Sequence, residues 1–151
     1  MGSNLDLVKA YLDKSWDNPP ASLAEAGAIY FADDFKSFDH DGNVAMDKQL
    51  YIGMGQVLAA SFTGFRYVVS DLHEEDNGVY MTGHFEGTFT DDLDLSAMGA
   101  GVIQASGKKI VWPEATIKWN VKNGQIASQQ PIQGGGIAEF LAPLGVEMPS
   151  S

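Results

Sequence analysis

From Phe65 onward the sequence changes its period. The stretches "FRYVVSDL", "VYMTGHFEGTF", "KKIVWPEATIKWNV" and "QIASQQPI" alternate apolar and polar residues, as strands do when side chains point in turn to two faces. "EEDNG", a long loop and "KNG" separate them, which predicts a meander of antiparallel strands. Upstream the period is helical. Ser3 or Asn4 caps a helix that carries Leu5, Val8, Tyr11 and Leu12 and ends near Trp16. "DNPPASLAEAGAIYF" opens a second helix behind its prolines, running to about Tyr30. "FKSFDHDGN" reads as a strand stopped by an Asp-Gly turn, and a third helix covers about Asp47 to Phe62 with Leu50, Met54, Val57 and Leu58 on one side. The tail "GGGIAEFLAPLG" reads as a joint followed by a short terminal helix.

Three helices followed by a long curved antiparallel sheet predict an α+β cone, in which the helices cover the concave face and leave a cavity beneath them. Gly83 and Gly87 lie inside a strand and ease its curvature. Alternation sets Val79, Met81, Gly83, Phe85, Gly87 and Phe89 on the face toward the helices. Tyr80, Thr82, His84, Glu86, Thr88 and Thr90 fall on the back, so the pair His84 and Glu86 is expected to face solvent or a partner subunit.

The 151 residues suit one domain, 1–151, with a sizeable core and no internal repeat. No apolar run approaches the roughly 20 residues needed to cross a bilayer, and "MGSNLDLVK" has no signal pattern. A soluble, cytoplasmic chain without a membrane partner is expected. The absence of cysteine excludes disulfides, thiolate nucleophiles and cysteine-held metals. A net charge of -11, with nine scattered basic residues, repels phosphate backbones, so nucleic acid is not expected as a partner. "DHDGN" has neither the spacing nor the closing glutamate of a calcium loop, and His40 has no second histidine at ligand spacing. Neither a metal nor a cofactor is expected.

The residues from Gly87 to Ile126, "GTFTDDLDLSAMGAGVIQASGKKIVWPEATIKWNVKNGQI", resemble the SnoaL-like polyketide-cyclase family, whose members carry in this order a G-T-H-T-G turn, a D-L-x-x-x-G loop, a T-G-K hairpin and a "dGKI" turn before the last strand. With the helices and "FLAPLG", the likeness extends over nearly the whole chain. It implies the cystatin-like, nuclear-transport-factor-2-like cone, an apolar pocket for small molecules, and a homodimer through the sheet. Two positions depart from the family: its turn histidine is replaced by Phe89, and its last-strand aspartate by Pro131. "AYLDK" and "FADDFKSFD" are similar to a second branch of the fold, the ketosteroid-isomerase-like proteins. That resemblance implies Tyr11 as oxyanion donor and Asp39 as base, while Tyr11 also reads as a helix-face core residue and Asp39 as the start of a D-x-D-G turn.

Pro113 within an apolar strand suggests a bulge that turns Trp112 or Glu114 into the cavity, making Glu114 an auxiliary acid. The pocket is expected to take Trp16, Tyr30, Met54 and Leu58 from the helices and Met81, Phe85, Phe89 and Trp112 from the sheet. Gln129 and Gln130 supply hydrogen bonds without moving protons. Two functions follow: an isomerase, cyclase or lyase acting on a small carbonyl-bearing molecule, or a non-catalytic pocket for a small apolar ligand.

Overall fold

The computed structural model describes residues 3–18, 21–76, 78–96, 101–134 and 142–144. Two helices come first, α1 (Ser3–Ser15) and α2 (Ala21–Tyr30), followed by a hairpin of β1 (Phe31–Phe38) and β2 (Val44–Asp47). Asp47 then caps α3 (Lys48–Ser61): its Oδ1 accepts the Leu50 N–H at 2.9 Å, satisfying one of the donors that a helix start leaves open. The long strands β3 (Phe62–Glu75) and β4 (Gly78–Phe89) follow, then a two-residue pair, β5 (Leu93–Asp94) and β6 (Val102–Ile103). The chain re-enters the main sheet as β7 (Lys109–Val111), β8 (Ala115–Lys122) and β9 (Gln125–Gln133). Asn123 and Gly124 both have positive φ, 54° and 76°, as the tight turn between β8 and β9 requires. Of the expected terminal helix only the 3₁₀ turn Ala142–Leu144 is described; the rest lies outside the described residues.

The sheet runs in the order β2-β1-β9-β8-β4-β3, with β7 also paired to β4. The expected meander is present as β3, β4, β8 and β9, all antiparallel. One pair corrects the all-antiparallel expectation: β1 lies parallel to β9, with Ser37 opposite Gln129. Hairpin turns dictate the direction of neighbours in sequence, but β1 and β9 are joined by most of the chain, and no local pattern encodes how they align.

β7 and β8 both pair with β4, and residues 112–114 interrupt them. Val111 stands opposite Glu86 and Ala115 opposite Gly83. Three residues therefore face two, a bulge of the kind that Pro113, which has no N–H to donate, allows. Two apolar clusters fill the inside of the curl. Val8, Phe31, Phe35, Val79, Trp119 and Ile126 pack beneath α1 and α2. Phe62, Phe65, Phe89, Leu93, Leu95 and Trp112 pack around the end of α3.

Candidate functional site

A cavity of about 510 Å³ borders both clusters. α1 contributes Tyr11 and the turn that follows it Trp16, α3 contributes Tyr51, Met54 and Leu58, and the inner face of the sheet contributes Tyr67, Met81, Phe85 and Trp119. Of the lining residues, His40, Pro113 and Glu114 are the exposed ones. The cavity thus reaches solvent between the β1–β2 turn and the bulge.

Three phenols border this space. Burial pushes Tyr11 up to about 12 and raises Tyr51 well above its ordinary value. Burial also raises Tyr67, and the negative charge of Glu114 adds to the effect. Each is a neutral hydrogen-bonding group at physiological pH. Tyr67 Oη and Trp119 Nε1 are buried and have no hydrogen-bond partner among the described residues. Such orphaned donors cost about 1–3 kcal/mol each when left dry.

Ser37 and Gln129 form a buried polar pair on the wall, where Ser37 Oγ donates to Gln129 Oε1 at 2.5 Å. Glu114, carried on the bulge, accepts the Ser70 hydroxyl on Oε2 at 2.8 Å. Asp39 opens the β1–β2 turn, with Oδ1 accepting the N–H groups of Asp41 and Asn43, both at 2.9 Å. Its other carboxylate oxygen, Oδ2, has no such partner among the described residues. No group of three or more His, Asp or Glu side chains among the described residues is arranged to hold a metal.

Tyr11, Asp39 and Glu114 all border the one cavity. So do Trp16, Met54, Leu58, Met81, Phe85, Trp112 and Gln129. Three residues expected there do not. Tyr30 backs the Tyr11 ring edge-on at 6.4 Å, and Phe89 is stacked on Phe62 at 4.7 Å inside the second cluster. Gln130 alternates away from Gln129, and its Nε2 donates to the Asp39 carbonyl at 3.1 Å. Glu86 is where alternation puts it, ion-paired with Arg66 at 2.6 Å and with Lys109 at 3.5 Å. His84, expected on the back, borders the cavity; it pairs with Val68 of β3, and it lies where the β7–β8 side of β4 is interrupted by the bulge. Sequence reasoning missed Tyr67, Tyr51, Ser37 and Trp119. For Tyr67, the one signal was a glycine, Gly83, on the same face of the adjoining strand.

No family model and no curated protein sequence matches the chain. Solved structures do. A protein of Jannaschia sp. CCS1 assigned as a SnoaL-like polyketide cyclase superposes with a TM-score of 0.67 at 17% identity, covering 85% of this chain and 83% of that one. A protein with a ketosteroid-isomerase-like fold from Catenulispora acidiphila DSM 44928, in complex with trimethylamine, gives 0.62 at 14%, covering 95% and 97%. TerC, co-crystallised with polyporic acid, gives 0.61 at 12%, covering 95% and 99%. At these identities the likeness carries architecture, not activity. The chain has the curled-sheet fold common to SnoaL-like and ketosteroid-isomerase-like proteins.

Proposed function

We propose that the protein takes up a small, largely apolar molecule bearing at least one carbonyl or hydroxyl oxygen. One observation carries this reading: Tyr67 Oη is a buried, unpartnered donor bordering an aromatic-lined cavity. A ligand oxygen accepting from it would relieve the cost of the dry phenol while ring and methionine side chains bury the apolar body. Polyporic acid, the compound co-crystallised with TerC, lends the reading support by analogy. The test compares 2-acetonaphthone with 2-ethylnaphthalene by calorimetry. The ketone is expected to bind between about twofold and tenfold more tightly, the worth of one hydrogen bond of ~0.5–1.5 kcal/mol, and Tyr67→Phe should erase that preference. Equal affinities in the unaltered protein would sink the reading.

A catalytic reading of the isomerase, cyclase or lyase type draws on the shared cavity of Tyr11, Asp39 and Glu114. In it Asp39 Oδ2 removes a proton next to the carbonyl, Tyr11 or Tyr67 donates to the developing enolate oxygen, and Glu114, having taken a proton from solvent at the mouth, returns it to the enolate. Gln129 orients the ligand. Deuterium wash-in beside the carbonyl of 2-acetonaphthone, followed by NMR, needs no known substrate. Asp39→Asn should slow it by on the order of 10² to 10⁴ if Asp39 is the base, and an unchanged rate discards that role. The same reading includes a homodimer through the outer sheet face.

A further inference from the structure

None of the nine lysines and arginines borders the cavity, whereas the carboxylates Asp39 and Glu114 do. Both belong to the end where the exposed lining residues open to solvent. Neither joins an ion pair with a described residue, and each has one oxygen that accepts no hydrogen bond from a described residue. The chain treats another carboxylate differently: Glu86, its side chain 10% exposed, is held by both Arg66 and Lys109. Two carboxylates without a countercharge beside an aromatic cavity suggest that the occupant brings the cation. A second, independent observation points to an occupant. Trp119 is 2% exposed, borders the same cavity, and keeps its Nε1 donor unpartnered among the described residues.

We propose that the ligand is a protonated amine with an apolar, oxygen-bearing body, its ammonium at the mouth with Asp39 and Glu114 and its oxygen deeper, at the Tyr67 or Trp119 donor. The proposal rests on the reading of the cavity as a ligand site and adds the sign of the ligand's charge. Coulomb attraction at a partly desolvated mouth favours a cation. An anion would meet two like charges, the field of a chain of net charge -11, and no lysine or arginine in the lining to receive it.

The test uses three probes of one shape, 1-naphthylmethylamine, 1-naphthylmethanol and 1-naphthoate, titrated by calorimetry at neutral pH and low ionic strength. The amine is expected to bind at least about tenfold more tightly than the alcohol, with naphthoate weakest. The amine-to-alcohol ratio should fall toward one in the Asp39→Asn, Glu114→Gln double variant. Because that variant can lose its fold, the salt dependence of the unaltered protein is the second readout: about 0.5 M NaCl should shrink the ratio. Equal binding of amine and alcohol, or strongest binding of naphthoate, overturns the charge assignment and leaves the apolar-ligand reading standing. Binding of none of the three overturns both.

Discussion

The ring of Tyr67 occupies the space that a side chain at position 83 would need. A Cβ on Gly83 would stand 2.8 Å from Tyr67 Cε2 and would also collide with the Val68 carbonyl oxygen. The glycine that reads as an aid to curvature therefore also lets a phenol fold down across β4 into the cavity wall. Gly83→Ala is expected to destabilise the protein by about 1–3 kcal/mol, because the backbone of β3 cannot yield as a flexible side chain would. Urea unfolding measures this, and a loss below about 0.5 kcal/mol would show that the two strands separate easily.

Removing the Tyr67 hydroxyl should do the opposite. In the ligand-free protein Tyr67 Oη is buried without a partner among the described residues, so Tyr67→Phe removes a desolvated donor and keeps the ring against Phe85, 4.7 Å away between centroids. Stability is expected to stay level or rise by up to ~1 kcal/mol. A loss of that size would mean the hydroxyl has a strong partner in the free protein.

Alkaline pH should weaken the fold through the cavity phenols. Burial raises Tyr51 and Tyr67 and brings Tyr11 to about 12, whereas in the unfolded chain a phenol ionises near ~10. Below that value both states keep their protons and the contribution is fully present. Above it the unfolded state releases protons first, so stability falls as pH climbs from about 10 toward 12. Urea midpoints measured across this range should decline, and less steeply in Tyr11→Phe. A flat profile would contradict the burial of these phenols.

The outer sheet face carries Thr82 and Thr116, whose hydroxyls lie 3.0 Å apart, and the ion-paired Glu86. A homodimer through this face predicts twice the chain mass of 16.2 kDa by light scattering at micromolar concentration. A mass of one chain across that range would discard the dimer.

The helices and long strands were legible because their periods are local properties of the sequence. Asp47 before Lys48 and the Asn123-Gly124 turn each follow from side-chain chemistry at one position. Pro113 likewise signalled the bulge that seats Trp112 in the second core cluster and leaves Glu114 at the mouth. Tyr67 was not legible. Its role depends on the register that brings β3 against β4 with Gly83 in reach, a pairing between strands that alternation within either strand does not fix. The parallel seat of β1 beside β9 was hidden for the same reason, and with it the meeting of Ser37 and Gln129.

The carbonyl stretch of bound 2-acetonaphthone, read by infrared difference spectroscopy in the unaltered protein and in Tyr67→Phe, tests most directly whether the Tyr67 hydroxyl awaits a ligand oxygen. A hydrogen bond from a desolvated phenol weakens the C=O bond, so the band should fall below its frequency in alkane solvent and return toward that value when the hydroxyl is removed. A band at the alkane frequency in the unaltered protein, or one that Tyr67→Phe leaves in place, would contradict the account.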